Sequence, residues 1–249
     1  MNNKFNKDKW ITIGILPIMW LLYFAFEIIT GRVDSIYTLS LNLLLTILFA
    51  VTGWIIYFIS NKYPKGFTSK IILIIFFILM LIDQGIKLVI KFFFFDKYFE
   101  IIPKFLSFNP IINTDGSWLN ARFGLGVGFS ALIILNGIAL VLFIEIYRYY
   151  LSKGNKDFWS DMSFLFIMAG ALCSFIDKVF YGGSLDFIGI SNLFIADIKD
   201  MYINLGILFF IMLIYTKGYF KEEDSSTLND DLNSIKKFLK FMKDDILRK

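Results

Sequence analysis

Six stretches of this 249-residue chain are each apolar for about the roughly 20 residues a helix needs to cross a bilayer. They fall at about residues 10 to 29, 36 to 60, 70 to 95, 122 to 147, 159 to 181 and 201 to 217. Hydrocarbon offers no partner to an open backbone, so stretches of this kind are helical. The composition agrees, with 57% hydrophobic and only 18% charged residues. The expectation is an all-α membrane protein of about six transmembrane helices. The first stretch carries Trp20, Tyr23 and Phe24 and is followed by no small-residue cleavage pattern, so it is read as a retained helix and not as a leader.

Lysine and arginine in the short connections set the expected orientation. Lys4, Lys7 and Lys9 precede the first span, Lys62, Lys65 and Lys70 separate the second from the third, and Arg148, Lys153 and Lys156 separate the fourth from the fifth. Those ends are expected in the cytoplasm, with both termini. Residues 96 to 121 and 182 to 200 then face outward. Lys91, Lys97, Lys104 and Arg122 run against the bias, which suits a segment lying along the interface, and Trp118 is a candidate for an aromatic platform there. Leu228, Leu232, Ile235, Leu239, Met242 and Ile246 recur at four- and three-residue steps between lysines, the pattern of an amphipathic helix on the inner leaflet or on the protein.

Charged residues inside spans are costly and need partners. Asp83 and Lys87 stand one helical turn apart in the third span, where they neutralise each other or meet lipid head groups. Asp177 and Lys178 close the fifth span after a run of small residues, where an ion pair pinning the helix end competes with a direct chemical role. Asp186 follows two glycines and sits among apolar neighbours, which favours a raised pKa. Asp197, Lys199 and Asp200 open the sixth span, where helix capping explains either acid taken singly. Taken together, two carboxylates brought close share a proton and can activate water.

There is no histidine, and the single cysteine, Cys173, has the setting of a small packing residue. Histidine-dependent triads, disulfides and most metal sites are therefore excluded. The basic residues cluster at the ends of apolar runs and form no stripe for phosphates, so nucleic acid is not expected as a partner.

From about Lys70 to Gly218 the sequence resembles the lipoprotein signal peptidases, or type II signal peptidases, membrane aspartyl proteases of bacteria. Asp83-Gln84-x-x-Lys87 resembles that family's D-Q-x-x-K element, and Asn113 to Ser117 its N-x-G-A stretch with one residue inserted. Ala169 to Lys178 resembles G-G-A-x-G-N-x-x-D-R, and Leu185-Asp186-Phe187-Ile188 resembles V-D-F-I. For the final F-N-x-A-D-x-x-I-x-x-G element, Asp200 has the required spacing to Ile203 and Gly206. The alternative register uses Ala196-Asp197 and loses that spacing. Departures are Ser174 for asparagine, Lys178 for arginine and Cys173 for glycine, and two helices precede the family's usual four.

The resemblance implies an endopeptidase that cleaves prolipoproteins before a cysteine carrying diacylglycerol, near the outer face of the bacterial cytoplasmic membrane. It needs no metal or cofactor and works as a monomer among membrane lipids. Asp186 and Asp200 would be the catalytic pair. Asp83, Lys87, Asn113, Ser174, Asp177, Lys178 and Asp197 would bind substrate or support the pair. The implied organisation is residues 1–69 as two additional helices, 70–218 as the peptidase-like core and 219–249 as a charged tail. The departures leave open an altered or inactive relative that binds lipoproteins, lipids or an antibiotic, or a small transporter.

Overall fold

The computed structural model describes residues 2–33, 35–115, 118–124, 128–218 and 228–247, with the side chains of 2–6, 118, 119, 121, 228 and 229 set aside. Among the described residues six helices are long and apolar enough to cross a membrane. They are α1 (Asn2–Ile29), α2 (Ile36–Lys62), α3 (Ser69–Val89), α5 (Phe129–Ser152), α6 (Phe158–Phe180) and α7 (Ile198–Lys217). A short α4 (Trp118–Phe123) precedes α5, and α8 (Leu228–Ile246) follows α7.

The helix starts follow local chemistry. Ser35 and Thr68 cap α2 and α3 with their hydroxyls, and Asp157 opens α6 in a capping box with Ser160. The sixth span begins three residues earlier than the apolar run suggests, because Asp197 caps α7 in a reciprocal pair with Asp200. The fourth begins later, at Phe129 and not near 122. Arg122 belongs instead to α4, where its guanidinium lies 3.8 Å from Glu27 and bonds Thr30 at 3.1 Å.

Where the sequence suggested only interfacial loops, the chain forms a four-stranded antiparallel sheet. Its strands are β1 (Phe99–Ile102), β2 (Leu106–Asn113), β3 (Ser184–Ile190) and β4 (Phe194–Ala196), in that order across the sheet. A π-helical turn at Ile90–Phe94 ends α3 and leads into β1. The β2–β3 pairing joins the two connections that leave the same end of the bundle, with Ile111 opposite Asp186 and Asn113 opposite Ser184. Gly183 makes this approach possible, since a Cβ there would stand 2.7 Å from the Asn113 carbonyl oxygen.

At the opposite end Phe158, Met162, Leu165, Leu208, Phe209 and Met212 of α6 and α7 form the core, against Ile15 and Leu16 of α1, Ile56 of α2 and Ile72 of α3. Close crossings rest on glycine. A Cβ at Gly206 would lie 2.6 Å from Ile167 Cγ1, one at Gly170 2.7 Å from Ile203 Cγ1, and one at Gly53 2.6 Å from the Thr12 carbonyl oxygen. The connection between α2 and α3 is fastened to α6: buried Asp161 accepts hydrogen bonds from the Phe67 amide and the Tyr147 hydroxyl, each 2.7 Å. The amphipathic tail is present as α8. It packs on the end of α5 through an Arg148–Asp245 ion pair of 2.7 Å and through Phe238 and Phe241 against Tyr149.

Gly206→Ala inserts a methyl group against the backbone of α6, and overpacking of this kind costs about 1–3 kcal/mol. The expected result is a lower thermal midpoint in detergent, read by loss of soluble monodisperse protein on heating. A Gly85→Ala control has nothing within 4 Å of its added Cβ and should not fall with it.

Candidate active site

Lys87 is the centre of a charge cluster where α3, α6 and α7 meet the sheet. Its side chain is fully buried, and its ammonium lies 2.9 Å from Asp83, 2.6 Å from Asp177 and 2.6 Å from Asp197. Gln84 donates to Asp83 and to Asp177, 3.0 Å each. The second oxygen of Asp83 accepts the backbone N–H of Lys199 at 3.0 Å, which ties α3 to the first turn of α7.

Asp83 and Lys87 form the one-turn pair read from the sequence, but they do not meet lipid head groups. Both are sealed inside the protein, because Lys87 is needed by three carboxylates at once. The sequence pairing of Asp177 with Lys178 is also corrected. Asp177 binds Lys87, with Lys199 at 3.4 Å. Lys178 turns instead to the Ser174 hydroxyl one helical turn back.

A second ammonium, that of Lys199, bonds Asp197 and the Ser184 hydroxyl and lies 3.7 Å from Asp186. Ser184 donates to Asp186. The other oxygen of Asp186 accepts from Asn113 on the neighbouring strand at 2.9 Å. Asp186 is held on both oxygens, and only 3% of its surface is exposed. Burial pushes its carboxyl up from the ordinary range, and the charge of Asp197 adds to this. The Lys199 ammonium and the bonds from Ser184 and Asn113 pull the other way without cancelling it.

Asp197 has the opposite fate. Burial would raise it, but the Lys199 and Lys87 ammoniums outweigh burial and hold it below the usual range, so it stays ionised. Asp200 takes the Asp197 N–H on one oxygen at 3.1 Å and is less enclosed than either neighbour. Asp186, Asp197 and Asp200 each offer a carboxylate oxygen within 4.8 Å of the others. The positive charge such a group calls for comes from Lys87 and Lys199.

Of the residues singled out in the sequence, Asp83, Lys87, Asn113, Asp177, Asp186, Asp197 and Asp200 converge in this cluster. Ser174 and Lys178 bond each other. Sequence reasoning gave no role to Gln84 or Ser184 and named Lys199 only among the residues that open the sixth span. Ser184 had a legible signal: two residues before Asp186 on a strand, it shares that residue's face. Gly116 and Ser117 of the resembling stretch lie outside the described residues, as does the Trp118 side chain proposed for an aromatic platform.

Carboxylates gathered under a sheet at one end of a helical membrane bundle fit one class, a membrane peptidase of the aspartic type. A sequence model of the family described as Signal peptidase (SPase) II matches residues 74–216, more than half of the chain, and the protein belongs to that family. The lipoprotein signal peptidase of Staphylococcus haemolyticus is 29% identical over 167 residues, 64% of this chain and 99% of its own length. That of Wigglesworthia glossinidia brevipalpis is 31% identical over 101 residues, 39% of this chain and 64% of its own. A solved structure described as a bacterial membrane enzyme, studied in meso at 2.3 Å, superposes with a TM-score of 0.51 at 23% identity. It covers 66% of this chain and 99% of its own, a likeness of fold. The matched span leaves out α1, α2 and α8.

Replacing Lys87 by methionine keeps the volume and leaves Asp83, Asp177 and Asp197 without their shared cation. Breaking a buried pair from one side costs about 3–5 kcal/mol. The variant is expected to lose most of its folded yield in detergent, measured by size-exclusion profile and thermal midpoint against Lys178→Met, which removes a lysine bonded only to Ser174 among the described contacts.

Proposed function

We propose that the protein is an endopeptidase that removes signal peptides from prolipoproteins, cutting before a cysteine that carries diacylglycerol, with Asp186 and Asp200 as the catalytic pair. The observation that carries this reading is the approach of their carboxylates to within 4.8 Å, one enclosed and the other more open. Asp197 is set aside as the second acid because both lysines engage it and the first turn of α7 uses its other oxygen. The basic stretches at the start of α1, between α2 and α3 and between α5 and α6 lie at the end of the bundle away from the sheet, while Lys91, Lys97 and Lys104 lie on the sheet side. The positive-inside rule therefore supports cytoplasmic termini and a site near the outer face of a bacterial membrane.

The pair shares one proton, which in this reading starts on Asp186. Asp200 takes a proton from water while the hydroxyl adds to the scissile carbonyl carbon. Asp186 gives its proton to the carbonyl oxygen. Collapse of the resulting diol breaks the C–N bond as Asp200 passes its proton to the departing amine and Asp186 takes back one diol proton. A carboxyl group remains on the signal peptide, and the pair again holds its single proton. One water is consumed. Asn113 and Ser184 keep Asp186 aimed throughout.

A second reading rests on Lys199, whose ammonium lies 3.7 Å from Asp186. It makes the protein a binder of lipoproteins in which the lysine has stilled the pair. Both readings meet in one assay, with purified protein in lipid and a diacylglyceryl prolipoprotein. Cleavage by the parent is expected, and Asp186→Asn or Asp200→Asn should each lower it ~10²–10⁴-fold, the share general acid–base catalysis contributes. Capture without cleavage overturns the peptidase reading in favour of the binder.

The pH profile follows from the pull on Asp186. The pair works with one proton, and loss of that proton marks the alkaline limb. Asn113→Ala removes a donor that favours the ionised form, so it raises the pKa and moves the alkaline limb to higher pH. Asp197→Asn removes a charge that disfavours ionisation, and moves the limb to lower pH while retaining cleavage. Cleavage abolished by Asp197→Asn but spared by Asp200→Asn would reverse the assignment of the second acid.

A further inference from the structure

The two aspartates of the pair are joined by a very short piece of chain: the rest of β3, a turn at residues 191–193, the three-residue β4, and the cap of α7. Strand β4 is the edge of the sheet and pairs only with β3. So short an edge strand makes few ladder bonds and is prone to fray. The turn also places Ser191 at a φ of 50°, a conformation that side-chain-bearing residues rarely hold unaided.

The outer ends of α1 and α2 take hold of this hairpin. The Arg32 guanidinium, steadied by buried Glu27 at 3.3 Å, donates to the Asn192 carbonyl at 2.6 Å. Asn42, fully buried in α2, donates to the Ser191 hydroxyl at 3.1 Å. Phe194 of β4 meets the ring of Tyr23 edge-on at 5.4 Å and that of Trp20 at 6.2 Å. Trp20 in turn bonds the Asn42 carbonyl at 2.8 Å, locking α1 to α2 behind the contact.

We propose that the α1–α2 pair, which lies outside the matched family span, is a brace whose Arg32 and Asn42 hold the β3–β4 hairpin and so fix the spacing of Asp186 and Asp200. The part concerning catalysis rests on the peptidase reading above; the grip on the hairpin does not. Arg32 and Asn42 are positioning residues, acting through Asn192 and Ser191. A misplacement of about 1 Å at reacting groups is enough to cost a large factor in rate, so a brace at the turn between the two acids acts where precision is needed.

The test uses the full-length chain in lipid nanodiscs and compares the parent with Arg32→Ala/Asn42→Ala, Arg32→Lys/Asn42→Ala, and Leu48→Ala, a lipid-facing change on α2. Amide hydrogen exchange reads the brace directly. Residues 188–196 of the double alanine variant should exchange at least tenfold faster, with α6 and the Leu48→Ala protein unchanged. In the cleavage assay kcat should fall about tenfold with KM within twofold, the alkaline limb should shift, and lysine at position 32 should recover part of the loss. Hairpin exchange within twofold of the parent overturns the proposal, as does a rise spread equally through α6, which would mean general loosening. A parent that never cleaves removes the peptidase reading alone, and the exchange measurement still decides the brace.

Discussion

An ammonium group withdrawn wholly from water inside a membrane protein must find compensating charge, and three carboxylates on different elements supply it to Lys87. Asp83 comes from the same helix, Asp177 from the end of α6, and Asp197 from the start of α7. Because each carboxylate is itself buried, none can be withdrawn without leaving uncompensated charge in a low-dielectric setting. The helices that deliver them are consequently fixed at one end of the bundle. The sheet is built over that fixed point: Ser184 links the Lys199 ammonium to Asp186, and Asn113 reaches the same carboxylate from the next strand. The proposed catalytic pair sits as an upper layer on this foundation of ion pairs.

That layering explains why Asp197 and Asp200, three residues apart, have such different surroundings. A capping box makes each accept the other's backbone N–H, so the two are equivalent as helix-start residues. Their outward oxygens are not. Asp197 points into the lysines and stays charged, whereas Asp200 faces the less enclosed side toward Asp186. Capping and the proposed chemistry are therefore compatible roles for one acid, and capping alone could not have decided between them.

The spans were legible because hydropathy over some twenty residues is a property of each segment by itself. The Asp83–Lys87 pair was legible for the same reason, being local to one turn. What the sequence hid is non-local. Nothing in Ala169 to Lys178 announces that Asp177 will reach back to Lys87 and not to its neighbour. The strand Leu106–Asn113 contains a proline and pairs across a bulge with a segment over seventy residues away, so no regular alternation marked it. Glu27 and Asp161, both fully buried, escaped notice because each lies near a span end, where an acid is ordinarily taken as solvated. The family motifs carried the candidate site further than residue-by-residue reasoning did, and Ser184 shows where strand periodicity would have added to them.

Asp161 gives the molecule a further property. By holding the Phe67 amide and the Tyr147 hydroxyl, it turns the join between α2 and α3 into a rigid corner. The same helix carries Asp177 about 24 Å further along, at 1.5 Å per residue. Helix α6 is therefore a strut with a polar joint at each end, one gripping the corner beside the additional helices and the other gripping Lys87. A load applied to the bundle on one side of the bilayer has a stiff, continuous path to the charges on the other.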